Sequence, residues 1–297
     1  MPKGPCVFCG AEVTGQGEHV WPSWFLKRWP NSDRFYRMVL NGLPLQEFDH
    51  ISRVMLPVCG DNRSDCNGKL NSAFEQAAKE PVRKALDRFE VVEGPEVMAF
   101  AKWAAKSLLL HAHPSSTYSS LQGHAKRGQS LDLHRGALTP LLNGALPGDL
   151  TLWVGVLDRR APNVAPPIQR VELPITFRSD GAGGSPGSAV VAFNVPNGKE
   201  VVFHLAFHPL VDVVHPLVAD GLMTELWPRV PDRLELSAHR VMGARDFDVL
   251  GVVFGQEPTC MQLEDGERLS GPDPMGNYLP MGNYVTAHGL ADPRLRE

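Results

Sequence analysis

The chain is short of cysteine, of unbroken apolar sequence and of basic charge, and each shortage excludes something. Five cysteines in 297 residues are too few and too unevenly spread for a fold stapled throughout by disulfides. The longest apolar stretch, Phe100 to Leu110, is interrupted by Lys102 and Lys106, which makes it too polar to cross a membrane. The opening Met1-Pro-Lys-Gly-Pro-Cys6 lacks the apolar segment of a secretion signal. A cytoplasmic location is therefore expected, and it suits reduced thiols. The formal net charge of −4 rules out a generally polybasic nucleic-acid binder. Residues 1–90 are nearly balanced, with 12 Lys and Arg against 11 Asp and Glu, and residues 91–297 are acidic, with 17 against 22. Contact with phosphate would have to come from a local patch.

A hydrophobic content of 43% is ample for a core, and the length fits one large or two modest domains. Leu70, Phe74, Ala77, Ala78, Val82 and Leu86 recur at helical spacing over 66–90, with Pro81 expected to kink or divide the helix. A second helix is predicted over 95–113, ended by Pro114. Residues 115–150 are loop-rich, with a short helix near 139–142. Alternation then predicts strands at 151–157 and 168–177, and a hairpin from 189–195 and 201–207. The expected class is α+β, with an N-terminal unit over 1–90, a helical segment over 91–148 and an antiparallel β-rich region over 149–297.

The residues that carry chemistry are concentrated at the start. Cys6-Val-Phe-Cys9 is a CxxC turn, which sets two thiolates on one side of a tight loop as half of a tetrahedral zinc site. Cys59 and Cys66 would supply the other half, with Gly60 to Asp65 bulging away from the metal. Gly10 and Gly60 each follow a cysteine, where a turn could bring backbone N–H groups to sulfur. The alternative is two buried thiols and a labile surface pair. Cys260 reads as a small buried apolar residue. Between the pairs lies Gly17-Glu-His-Val-Trp-Pro22. His50 competes with His19 but has no partner signal. Arg53, Arg63 and Lys69 read first as solvated charges and second as phosphate contacts. Lys27, Arg28, Arg34 and Arg37, interleaved with Trp21, Trp24, Phe25, Trp29, Phe35 and Tyr36, read as an amphipathic helix with its aromatic face in the core. A nucleic-acid surface is the alternative. His111 and His113 are expected at a helix C-terminus, near its dipole, and His204 and His208 are not expected to be a ligand pair. Pro274-Met-Gly-Asn-Tyr278 recurs as Pro280-Met-Gly-Asn-Tyr284, a local duplication.

Cys6-Val-Phe-Cys-Gly10, Glu18-His-Val-Trp-Pro22 and Cys66-Asn-Gly-Lys-Leu-Asn-Ser-Ala-Phe-Glu75 together resemble the His–Asn–His (HNH) endonuclease family. The resembling branch ties its ββα-metal core with a four-cysteine zinc site. The resemblance covers about residues 5–80. It implies an N-terminal zinc-stapled ββα-metal core, with Cys6, Cys9, Cys59 and Cys66 on structural zinc. It also implies His19 as the general base that activates water, and Glu18, Asn67 and Asn71 as ligands of a catalytic divalent ion. Asn67 and Asn71 would share one helix face, and their oxygens suit Mg²⁺ or Mn²⁺. Pro22 would fix the chain's exit from the hairpin. Three departures stand against the family pattern: no middle Asn in Ile51–Val58, Asn67 and Asn71 in place of the last ligand His, and Glu18 in place of the commoner Asp. The expectation is a metal-dependent nuclease acting on nucleic acid, DNA before RNA. The later regions would serve target choice, homo-oligomerisation or regulation. The alternative is a catalytically silent zinc module that binds nucleic acid or protein.

Overall fold

Helical periodicity in the first half of the chain and paired apolar strands in the second build an α+β structure. The computed structural model describes residues 4–13, 17–27, 36–40, 43–48, 54–60, 64–113, 115–116, 138–148, 150–162, 187–195, 197–207, 213–244, 246 and 286–287, with backbone alone at 36–40, 43–48, 187–188, 213–214, 216, 219 and 286–287. The expectations for Arg28, Arg34, His50, Arg53, Arg63, the strand over 168–177, His208, Cys260 and the repeated phrase lie outside these residues.

The N-terminal elements are short. β1 (Gly4–Pro5) pairs with β2 (Glu12–Val13) around the first cysteine pair. β3 (Glu18–His19) runs into Pro22, whose carbonyl accepts the Phe25 and Leu26 N–H groups and opens α1 (Ser23–Leu26). β4 (Tyr36–Leu40) and β5 (Leu43–Phe48) form a hairpin. Of the residues expected to form an amphipathic helix, the described ones are helical in α1, while Tyr36 and Arg37 lie in strand β4. β6 (Met55–Leu56) is antiparallel to β3, with Glu18 opposite Leu56 and His19 opposite Met55.

The helical run expected over 66–90 begins with α2 (Cys66–Leu70) and widens into a π-helical turn, Asn71–Glu75. A break at 76–78 precedes α3 (Lys79–Val82), and a second π segment follows at Arg83–Arg88. Pro81 sits inside α3. It has no N–H for the Ala77 carbonyl, and its ring crowds that group, so the irregularity falls one turn before the proline. β7 (Val92–Glu93) leads to α4 (Pro95–His111), with Gly94 at φ 53° as N-cap and Pro95 in the first turn. A short 3₁₀ helix occupies Thr139–Asn143.

The main sheet is built from β8 (Leu150–Leu157), β9 (Gly187–Asn194) and β10 (Glu200–Phe207), all antiparallel. β11 (Val213–Val214) and α5 (Pro216–Ala219) follow, then β12 (Met223–Trp227), β13 (Arg233–Leu234), which pairs with β7, and β14 (Val241–Met242). The strand order is β12-β8-β10-β9-β4-β5. β14 joins β8 in parallel at Val156 and Leu157, beyond the stretch that β12 covers. β15 (Thr286–Ala287) pairs with β11. Strand β4 lies on the free edge of β9, Tyr36 opposite Phe193. Strands from either side of the boundaries expected at 90 and 148 thus share one sheet.

α4 packs on one face of this sheet. Phe100 lies 5.8 Å from Phe203, and Trp21 lies 4.9 Å from Phe193, ring centre to ring centre. Alternation puts Val201, Leu205 and Phe207 on the same face as Phe203. Val202, His204 and Ala206, on the other face, are also fully buried. A strand buried on both faces reads as one continuous apolar run, as β8 and β10 do. Among the described residues, one contiguous apolar cluster runs from Cys6 to Leu236.

Candidate metal centre and the adjoining polar cluster

Local backbone chemistry brings the four cysteines together. The Cys6 N–H donates to the Ala11 carbonyl, and the Gly10 N–H donates to the Cys6 carbonyl at 2.9 Å. Gly10 is at φ 79°, a left-handed conformation that glycine adopts without strain. Its N–H therefore closes the CxxC turn and does not point at sulfur. The sulfur-directed donors are other backbone N–H groups: the Cys59 N–H, 3.5 Å from Cys6 Sγ, the Ala11 N–H at Cys9 and the Cys66 N–H at Cys59. Gly60 is exposed and has open space where a Cβ would stand, so no packing demands glycine there. The Asn67 N–H bonds the Cys59 carbonyl at 3.0 Å and ties the second pair to the start of α2.

The four Sγ atoms lie within 4.8 Å of one another. Cys9 Sγ and Cys59 Sγ are 3.6 Å apart, and all four thiols are free. A tetrahedral zinc with Zn–S bonds near 2.3 Å requires sulfur–sulfur edges of about 3.8 Å, so the cluster could hold a metal ion such as zinc. Its electrostatics fit a cation as well. The Ala11 N–H lowers the Cys9 thiol to about 7. Burial raises Cys59 and Cys66, and at Cys66 the neighbouring sulfurs add to burial. Four thiols this close become thiolates together only with a positive ion among them. Cys6, Cys59 and Cys66 are buried, and Cys9 is at the surface.

Beside the cluster stands a polar group built across two elements. Asp65 caps α2: it adopts φ 39°, and its carboxylate accepts the Gly68 N–H at 3.0 Å. This cap fixes Asn67 in the first turn, where its Nδ2 donates to Glu18 Oε2 at 2.8 Å. Glu18 and Asn67 are both half-buried. Burial raises the Glu18 carboxyl above its ordinary range, His19 opposes this, and Glu75 adds to it. Glu18 also accepts the His19 backbone N–H. His19 is exposed. As a strand neighbour of Glu18 it leaves the opposite face, and among the described residues its ring makes no hydrogen bond. Asn71, one turn after Asn67, is exposed. Of the residues singled out in the sequence, the structure joins the four cysteines to one another and Glu18 to Asn67. It does not hydrogen-bond His19 or the Asn71 side chain to them.

Two residues of this group escape the sequence reading. Glu75 has 14% of its side chain exposed, and Lys106 of α4 is 2% exposed. Lys106 Nζ donates to Glu75 Oε1 at 3.0 Å. The charges of both act on Glu18. The available signals are the spacing Asn67, Asn71, Glu75 and a lysine inside an apolar helix. Lys102, the other interruption, is ordinary: its Nζ reaches the Gly144 carbonyl at 3.0 Å.

His111 and His113 stand at the C-terminal end of α4 as expected, but not as charges on its dipole. Both are buried, and burial pushes them down to about 3 and about 4. They are neutral, so they bring no positive charge to the helix end. His111 Nδ1 accepts the Trp21 indole N–H at 2.6 Å and joins α4 to the segment that follows β3. His204 is also buried, and its partner is His215 at 3.0 Å. No helix among the described residues is long and apolar enough to cross a membrane. Comparison with protein-family models, with curated proteins and with solved structures gives no match.

Proposed function

We propose that residues 1–90 form an HNH-type, metal-dependent endonuclease centre that hydrolyses phosphodiester bonds, in DNA before RNA. The observation that carries this reading is the hydrogen bond from Asn67 to Glu18. It sets an amide and a carboxylate from a helix and a strand side by side, with the amide on the residue that follows Cys66 of the four-cysteine cluster. The strand pair β3–β6 followed by a helix that begins at the last cysteine supports the same reading. Cys6, Cys9, Cys59 and Cys66 hold structural zinc and fix the relative positions of β3 and α2. Glu18, Asn67 and Asn71 offer hard oxygen atoms to Mg²⁺ or Mn²⁺. Such an ion, when bound, offsets charge at the scissile phosphate and the leaving oxygen. His19, solvent-facing at the end of β3, takes the proton from the attacking water.

The test is nicking of supercoiled plasmid with Mg²⁺, Mn²⁺ or EDTA. His19→Ala is expected to abolish metal-dependent nicking and to leave the zinc content unchanged. Cleavage that survives in this variant removes His19 as the base. A second reading, a silent zinc module that binds nucleic acid or protein, is favoured by the lack, among the described residues, of an orienting hydrogen bond on the His19 ring. It predicts no nicking at intact zinc. A steep salt dependence of binding would then mark nucleic acid as the partner.

A further inference from the structure

Lys106 is out of place for a residue with only a packing role. It lies in α4 between Ala105 and Ser107, within the helix face that meets the core, and is 2% exposed. Removing an ammonium group from water is costly even when it is paired. An apolar side chain of the same length would fill the space without that cost. The ammonium is held by Glu75 at 3.0 Å, and Glu75 lies at the end of the π-helical turn.

That turn decides where Glu75 points. In an α-helix four residues overshoot a full turn, so Asn71 is rotated slightly past Asn67. The widened turn, marked by the Gln76 N–H bonding the Asn71 carbonyl five residues back, takes more residues per revolution. Four residues from Asn71 to Glu75 then fall short of a full turn. The two offsets oppose each other and return Glu75 to the face of Asn67. Asn67 holds Glu18 at 2.8 Å, and Glu18 feels the charges of both Glu75 and Lys106.

We propose that Lys106 is the resident counter-charge of a cation site formed by Glu18, Asn67 and Glu75, and that it makes divalent-ion binding depend on a phosphodiester arriving with the ion. The proposal rests on the reading of Glu18 and Asn67 as cation ligands. Two carboxylates and one ammonium carry a net charge of −1. A divalent ion would leave this cluster with a net positive charge, which one phosphodiester charge balances. Without the ammonium, the two carboxylates would balance the divalent ion unaided. Lys106 thus disfavours metal loading in the absence of substrate.

Mn²⁺ affinity of the zinc-loaded full chain, read from the electron paramagnetic resonance of free Mn²⁺, tests this. It is measured with and without dimethyl phosphate, the simplest phosphodiester. Wild type is expected to gain about tenfold in Mn²⁺ affinity when the diester is present. Lys106→Met is expected to bind Mn²⁺ at least about tenfold more tightly than wild type without the diester, and to gain little from it. Glu75→Gln keeps the ammonium and loses a carboxylate, so it is expected to bind Mn²⁺ at least about tenfold more weakly in both conditions. A Lys106→Met variant with intact zinc whose Mn²⁺ affinity equals or falls below wild type overturns the proposal. So does a Glu75→Gln variant that binds like wild type, whether or not the lysine variant folds. If wild type binds Mn²⁺ but neither substitution changes the affinity, only the role of Lys106 and Glu75 is lost. If wild type binds no Mn²⁺ in either condition, the cation-site reading of Glu18 and Asn67 falls as well.

Discussion

Cys66 serves two structures at once. Its Sγ belongs to the four-cysteine cluster, and its backbone opens α2 directly after the cap residue Asp65. The cap accepts the Gly68 N–H, and a Cβ on residue 68 would stand 2.1 Å from the Asp65 carboxylate. Gly68→Ala is therefore expected to break the cap, at a cost of about 1 kcal/mol or more, and to loosen Cys66 and Asn67 together. A lowered thermal midpoint with weaker zinc retention against a chelator would show this coupling. Unchanged zinc retention would mean that the cluster organises itself without the cap. Cys66→Ser, by contrast, removes a ligand, and one equivalent of bound zinc should be lost. At this scale the cysteines were legible because their residue type and spacing carry chemistry on their own, and Glu18 and Asn67 only through the resemblance to the HNH motifs. Glu75 and Lys106 were not. A lysine in an apolar run looks like a solvated interruption; Lys102 is half-buried with its Nζ on a loop carbonyl and Lys106 is buried against Glu75, and only the fold distinguishes the two. The π turn that redirects Glu75 has no local sequence signal.

Among the elements, α4 is the one on which the N-terminal segment and the sheet both rest. Trp21 touches Trp103, His111, Phe25 and Phe193, and its indole N–H donates to His111 Nδ1. Trp21 follows His19 by two residues, so this contact also sets where β3 ends. Trp21→Phe keeps much of the apolar contact but removes the donor, and loss of a buried hydrogen bond of this kind costs about 1–3 kcal/mol. The expected result is a lower melting temperature at unchanged zinc content, since the cysteines are held by their own backbone bonds. Unaltered melting would show that the bond to His111 contributes nothing net. The helix of α4 and the β9–β10 hairpin were legible because their patterns are local: helical recurrence in one, two apolar runs around a turn in the other. Strand β4 was not. Its partner β9 lies far along the chain, and its own aromatic and basic residues suit an amphipathic helix equally well. Pairing with a distant sheet edge decides between the two, and no window of sequence contains that edge.

Over the whole molecule, buried neutral histidines tie stability to pH. The Leu217 N–H donates to His215 Nδ1 at 3.1 Å, so His215 carries its proton on Nε2 and directs it to His204 Nδ1 at 3.0 Å. His204 Nε2, fully buried beside Trp153, has no hydrogen-bond partner among the described residues. Protonating either ring would put a donor against a donor and a charge in a fully buried site. Burial accordingly pushes His204 down to about 3 and His215 well below its ordinary value, with His204 adding to the effect at His215. His111, on the other side of the sheet, is likewise at about 3. A histidine whose folded pKa is depressed leaves stability at its maximum above the unfolded value of about 6.5. As pH falls below that value the unfolded chain takes up protons and the folded chain does not. Stability then drops through the window down to about 3, by about 1.4 kcal/mol per pH unit for each such residue. The melting temperature should therefore be flat above about pH 7 and fall steadily from about pH 6 to pH 4. Acid also protonates thiolates and releases zinc, so bound zinc is measured in the same samples. His204→Gln lowers stability at every pH, but its readout is the slope, which should be shallower than in wild type before zinc is lost. Equal slopes in the two proteins, with melting that follows zinc release alone, would leave the cysteine cluster as the only source of acid sensitivity.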